Sequence, residues 1–297
     1  MATWFLLAIA AQFLSAVTVT IDKFLVSRSV QMGKPLVLTF YIAVLSSFVL
    51  VLVPFGVSLP TQFAALAAIG SGIAFVTALY FQFAAFQHTR VSDAAPVIGA
   101  VSVLTTLALA YFWIDGDVSS AMLVPILFLI LGIGIISRMH FAVHALRNAL
   151  IAGLGFGCMF FCAKLVFNEL DFMNGFFWTR MASVGVALTL LVHPAARAAI
   201  LHGARRSSGQ AKGLLVVTKV VGSSAGVLTA LAVSLGSVSV VNALSGIQFV
   251  FLFFFALLFT AYIPRLKENS AEGHGGWHTL VGVISIAAGL AWLAYIH

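Results

Sequence analysis

The run Pro35-Leu-Val-Leu-Thr-Phe-Tyr-Ile-Ala-Val-Leu-Ser-Ser-Phe-Val-Leu-Val-Leu-Val-Pro-Phe-Gly56 contains no charged residue and no apolar/polar alternation. A strand with one wet face would alternate at period two, whereas a helix crossing a bilayer needs about 20 apolar residues in succession. Lipid offers backbone N–H and C=O groups no partner, so a run of this kind predicts a transmembrane helix and not an open strand.

Outward from it, the same pattern recurs at about 4–27, 63–86, 94–114, 119–137, 146–167, 175–194, 212–235, 239–263 and 278–296. The expectation is an all-α membrane protein with ten transmembrane helices. Composition agrees, with 62% of the 297 residues hydrophobic and 8% charged and a mean hydropathy of +1.13. A soluble core cannot absorb that much apolar surface. The connections are too short for a soluble catalytic or nucleic-acid-binding domain. The first run lacks a basic leader and a small-residue cleavage site and continues into Asp22-Lys23, so it reads as a retained helix and not a signal peptide.

The net charge of +7 points to nucleic acid only until the charges are placed. Lys23, Arg28 and Lys34 flank the first connection, Arg90 the third, Arg138 and Arg147 the fifth, Arg197, Arg205, Arg206 and Lys212 the seventh, and Arg265 and Lys267 the ninth. The even connections hold Asp115, Asp117, Glu169 and Asp171 instead. By the positive-inside rule the odd connections are cytoplasmic and both termini face outward, in a cell (inner or plasma) membrane. The expected partners are the lipid bilayer and a small-molecule substrate, with no nucleic acid, in a monomer or homodimer.

The chain also repeats itself. Lys23 pairs with Lys164 and Pro54 with Pro194, while Val91-Ser92 and Gly99 pair with Val238-Ser239 and Gly246. Five helices per half is an odd number, so the second half enters the membrane from the opposite side. The result is two inverted five-helix repeats, residues 1–140 and 141–297, the plan from which alternating-access carriers are built.

Around Ala84-Ala85-Phe86 through Val91-Ser92-Asp93-Ala94-Ala95-Pro96, and around Leu235-Gly236-Ser237-Val238-Ser239-Val240-Val241-Asn242-Ala243-Leu244, the chain resembles the EamA-type branch of the drug/metabolite transporter superfamily. In that family a small-residue helix end, a polar turn and a Pro- or Gly-containing helix recur in each half. The resemblance spans the chain with loose motifs. Where many relatives end the fourth helix of a half with Gly-Glu, this chain has Trp113-Ile114-Asp115-Gly116. It implies transport without naming a cargo.

Cargo recognition is sought among polar groups within the spans, since a charge in hydrocarbon costs about 2.5–3.5 kcal/mol or more. Lys219, Arg180 and Lys164 qualify. The competing reading has Lys164 and Arg180 snorkelling to the interface or pairing with Glu169 and Asp171. Lys219 is the deepest and is followed by the small residues from Gly222 to Gly226. An excess of buried positive charge calls for a carboxylate or phosphate, and the absence of a mid-span Glu argues against proton-coupled export of cationic drugs. Gln12, Tyr41, Gln82, Asn242 and Gln248 extend the candidate site, or serve as interhelical glue. Gly70 and Gly72 in the third helix and Gly132 and Gly134 in the fifth suit close packing or hinging. Trp4, Trp113, Trp277 and Trp292 fall near span ends and read as interface anchors.

Cys158 and Cys162 lie one turn apart with no further ligand nearby, and the spaced histidines His140 with His144 and His274 with His278 lack a third. No metal, haem or other cofactor is expected. The expected function is that of a non-enzymatic alternating-access transporter of a small, anionic metabolite, its cavity lined by the first, third, fourth, sixth, eighth and ninth helices. A flippase for a lipid-linked headgroup and a membrane-embedded transferase are the alternatives. The transferase would need clustered carboxylates, for which only Asp115 with Asp117 and Glu169 with Asp171 are available.

Overall fold

The structure, a computed structural model, describes residues 3–28, 34–89, 91–114, 120–136, 143–206 and 209–248, and scattered positions between 250 and 292. Most of the tenth expected span, the far end of the ninth, and the connections carrying Asp115, Asp117, Arg138, Arg265 and Lys267 lie outside the described residues. Among the described residues the chain is helical throughout, without strands. The helices are α1 (Thr3–Arg28), α2 (Pro35–Val44), α3 (Gln62–His88), α4 (Val91–Trp113), α5 (Ser120–Ile136), α6 (Val143–Glu169), α7 (Phe172–Thr189), α8 (Pro194–Arg206), α9 (Gly209–Leu235) and α10 (Val238–Ala243).

Among the described residues, six segments are long and apolar enough to cross a bilayer: Thr3–Ile21, Pro35–Phe55, Gln62–His88, Val143–Glu169, Phe172–Val192 and Gly213–Leu235. Their outward faces suit lipid, with Val51, Leu66 and Val220 mostly exposed. The fold is that of a helical membrane protein.

Local chemistry sets the helix ends. Pro35 opens α2 behind an extended Lys34, where its missing N–H costs nothing. Beyond Val44 the helix tightens into 3₁₀ turns over Leu45–Phe55, and Pro54 removes a backbone donor near their end. Gly56 closes the segment at φ 92°, a left-handed conformation that only glycine takes without strain. Thr61 caps α3 through Ala64 N, and Ser237 caps α10 through Val240 N. Asp171 caps α7, accepting from Met173 N at 3.0 Å and Asn174 N at 3.2 Å. These bonds, the Asn174 side-chain amide foremost, hold its carboxyl below the usual carboxylate range.

Two features depart from the expected layout. The seventh connection, expected as a loop, contains α8, whose buried Ile200 packs with Phe40, Ala43, Val76 and Ala187. The ninth span, expected as one helix from 239 to 263, is interrupted after Ala243. There Ser245 N, Ile247 N and Gln248 N bond three residues back, to Asn242 O, Leu244 O and Ser245 O.

Because lipid tails are as apolar as leucine, helices in a membrane associate through close packing of small residues. α6 lies between α3 and α4. A Cβ on Gly153 would meet Ile98 O at 2.8 Å, one on Gly157 would meet Thr105 Cβ at 2.5 Å, and one on Gly155 would meet Ala74 O at 3.0 Å. α3 crosses α7 at Gly72, where a Cβ would fall 2.7 Å from the Ala182 backbone. At Gly134 a Cβ would meet nothing within 4 Å among the described residues. Trp4, expected at the interface, packs its indole on Gly236, with 2.6 Å from Trp4 Cδ2 to a hypothetical Cβ.

Candidate functional site

A cavity of about 340 Å³ opens at the centre of the bundle. Its walls come from α1, α2 with its 3₁₀ extension, α3, α4, α6, α7, α9 and the interrupted segment from α10 to Gln248. The second and seventh spans were not among the helices expected to line it. Gln12, Gln82, Arg180, Lys219, Asn242 and Gln248 all reach the cavity, and Tyr41 and Lys164 do not line it.

Arg180 is carried on α7 with its guanidinium over two phenyl rings, 5.2 Å from the Phe176 centroid and 5.7 Å from that of Phe75. Its Nη2 lies 3.0 Å from where a Gly226 Cβ would stand, so glycine on α9 makes the room. No carboxylate or hydrogen-bond acceptor among the described residues meets this guanidinium. Asp171, considered as its ion-pair partner, is engaged in capping α7, and Glu169 is exposed. Pairing with these two acids therefore does not explain Arg180. The rings offer a cation–π attraction but leave the guanidinium N–H groups to find acceptors elsewhere.

Lys219, on α9, donates from Nζ to Ser46 Oγ at 2.8 Å. The residue lines the cavity alongside Gly222, Ser223 and Gly226. Asn242 is used structurally. Its amide nitrogen donates to Ser102 Oγ at 3.0 Å and Thr106 Oγ1 at 2.6 Å, and Thr106 Oγ1 donates to Gly157 O at 3.2 Å. The network ties α10 to α4 and α6 at the cavity wall.

Lys164 sits elsewhere. Its Nζ donates to Val233 O at 3.0 Å and Gly236 O at 2.9 Å, capping the C-terminal end of α9 where carbonyls lack intrahelical partners. Tyr41 reaches Ile200 O with its hydroxyl at 3.5 Å, linking α2 to α8. Cys158 and Cys162 are free thiols, and Cys162 Sγ lies 3.4 Å from the Cβ position of Gly70, between α6 and α3.

Several cavity groups were not singled out in the sequence. Thr218 Oγ1 and Ser245 Oγ are buried in the cavity lining without a hydrogen-bond partner. Most Ser and Thr hydroxyls on these helices bond back one turn, as Thr18 does to Leu14 O and Thr105 to Val101 O. Gln12 is 4% exposed, and no group among the described residues bonds its amide. Buried polar atoms are rarely left unmatched in a folded protein, and Thr218 and Ser245 have hydroxyls available to a molecule or water in the cavity. The arrangement can hold an anion at Arg180, orient a small molecule through hydroxyl and amide groups, and enclose its apolar part between phenyl rings.

No family model matches the chain, and no curated protein matches it. Its fold is similar to that of a solved crystal structure of another protein, with a TM-score of 0.70 at 15% identity, covering 100% of this chain and 99% of the other. At that identity the likeness concerns the fold alone, and it extends over the full length of both chains.

Proposed function

We propose that the chain is an alternating-access transporter of a small anionic metabolite. The observation that carries this reading is Arg180, lining a central cavity with no acidic or hydrogen-bonding partner among the described residues. A charge so placed costs free energy unless a ligand of opposite sign answers it. Of the acidic pairs a membrane-embedded transferase would need, Asp171 is spent on a helix cap and Glu169 is exposed and not among the cavity-lining residues, while Asp115 with Asp117 lies outside the described residues.

In this reading the helices form two inverted repeats of five, residues 1–140 and 141–297. Helix packing supports it: α1 lies along α9 as α6 lies along α3, the two pairs that exchange when the halves are swapped. α4 packs on α6, and the counterpart contact between the ninth and first spans is made by Phe13 with Phe251 and Phe255, ring centroids 5.2 and 5.8 Å apart. The interrupted α10 segment beside the cavity also fits, since broken helices supply binding groups in many carriers. The resemblance to EamA-type transporters points the same way. The odd-numbered connections are cytoplasmic in this arrangement, in a cell membrane.

The test is uptake of radiolabelled organic anions into proteoliposomes containing the purified chain, with Arg180→Gln as control. Saturable uptake and counterflow that the variant lacks are expected. Equal flux into protein-free liposomes, or transport restricted to cations, would overturn the reading.

A further inference from the structure

Beyond its charge, the cavity is walled by hydrocarbon. Phe48, Phe75, Phe156, Phe160, Phe167 and Phe176 all line it, contributed by the 3₁₀ extension of α2, by α3, by α6 and by α7. The apolar surface is therefore shared among several walls. The space of about 340 Å³ falls at the small end of the roughly 300–1,000 Å³ of pockets that hold organic ligands. A bare inorganic anion would leave most of it unfilled.

Arg180 sets the second requirement. Its guanidinium carbon stands 5.2 Å from the Phe176 centroid and 5.7 Å from that of Phe75, so hydrocarbon borders the charge directly. The planar fork of N–H donors matches the two oxygens of a carboxylate. A carboxylate bound there uses both oxygens and turns its carbon body toward the rings. A phosphate would bring further charged oxygens against phenyl carbons, which cannot replace the water it loses. Lys219 is already bonded to Ser46 Oγ at 2.8 Å and is not called on, since one carboxylate answers one guanidinium.

The third requirement is what the wall lacks. No acidic residue is among the lining residues, and Thr218 Oγ1 and Ser245 Oγ, buried there without partners, are neutral. An ammonium entering with the carboxylate, as on an amino acid, would lose its water beside a guanidinium and find only neutral acceptors.

We infer that the cavity takes a hydrophobic monocarboxylate, with its carboxylate on Arg180, its aliphatic or aromatic body against the phenylalanines, and no amine. This rests on the anion-transporter reading above and narrows its cargo.

The experiment uses the full chain in lipid nanodiscs, with empty nanodiscs subtracting partition into the bilayer, and measures thermal stabilisation and calorimetric binding. The probes are acetate, butyrate, hexanoate, phenylpropionate, phenylalanine and inorganic phosphate. Each methylene added from acetate to hexanoate should tighten binding about threefold to fourfold, as burial of a CH₂ group does. Phenylpropionate should bind at least about tenfold more tightly than phenylalanine, which adds only the amine, and than phosphate. Arg180→Gln should abolish binding across the series, with size-exclusion profiles and unliganded melting points verifying that it folds.

A flat chain-length series, or phenylalanine or phosphate binding as tightly as phenylpropionate, would overturn the hydrophobic monocarboxylate while leaving an anion carrier. Absence of anion binding altogether, or binding unchanged in Arg180→Gln, would overturn both readings.

Discussion

Replacing Lys164 by Met tests whether this cation belongs to the cargo or to the scaffold. The ammonium donates to Val233 O and Gly236 O at 3.0 and 2.9 Å, at the turn between α9 and α10. Methionine keeps the apolar stem and removes both bonds together with a favourable charge at a helix C-terminus. Polar contacts inside membrane bundles are worth about 0.6 kcal/mol on average and about 1.7 at most, and the helix-end charge adds about 0.3–1 kcal/mol. Relief from desolvating the half-buried ammonium offsets part of this, so the net loss is about 2 kcal/mol. For a chain of this size that corresponds to a drop of about 4–8 °C in melting midpoint. Thermal unfolding in nanodiscs, paired with anion-binding titrations on the same preparation, reads both quantities. The expected result is a lowered midpoint with ligand affinity unchanged within about twofold. An unchanged midpoint with lost anion binding would refute the capping role and return Lys164 to the site.

Gly157→Ala should destabilise the bundle by about 2 kcal/mol or more, because the new methyl meets Thr105 Cβ at 2.5 Å and Ser102 O at 2.7 Å. Asp171→Ala should cost about 1 kcal/mol as a lost helix cap. The carboxyl is held below its ordinary range in the fold, so its contribution is present at neutral pH and fades as pH falls through that lowered value. A melting series from pH 7 to acid should therefore converge for wild type and variant at the acid end. In a background lacking Cys158 and Cys162, Ser119→Cys should react with an impermeant thiol reagent on intact cells and Ser207→Cys should not. The reverse at both sites would invert the orientation. Phe75→Leu removes one of the two rings under Arg180 while keeping apolar bulk. It should weaken anion binding by about 0.5–2 kcal/mol, and unchanged affinity would show that this ring serves packing only.

The membrane helices were legible because lipid imposes a length and an apolar continuity that sequence displays directly. The expected span 35–56 corresponds to Pro35–Phe55, 63–86 to Gln62–His88 and 146–167 to Val143–Glu169. Helix α8 escaped because its arginines mark the segment as a connection, and hydropathy measures length across lipid and not helicity. The interruption at Leu244 and Ser245 has no proline to announce it. Charges in apolar runs pointed to Lys219, Arg180 and Lys164 alike, yet only tertiary packing separates them. Lys164 meets carbonyls 69 and 72 residues further along the chain, a partner that no local pattern reveals. Thr218 and Ser245 were invisible for the opposite reason: a hydroxyl in an apolar helix ordinarily bonds back to its own backbone, and only coordinates show which ones do not.

The cavity is chemically lopsided in a way that bears on how such a carrier would work. Its described cations, Arg180 and Lys219, both come from residues beyond 141, whereas Gln12, Ser46, Phe75 and Gln82 come from the first 140. Phe176 and Gly226, which seat the guanidinium, lie in the same part of the chain as Arg180. In the proposed carrier the anchoring end of the site would move with α7 and α9. Contacts of Arg180 with Phe75 and of Lys219 with Ser46 cross to the other part, and would slip if the two parts moved past each other as proposed. An anion bound at Arg180 would lower the cost of breaking the Phe75 contact, because the guanidinium would keep a partner throughout the proposed movement. In the proposed carrier this placement would couple movement to occupancy, since a ligand shifts a conformational equilibrium only through contacts that differ between its states.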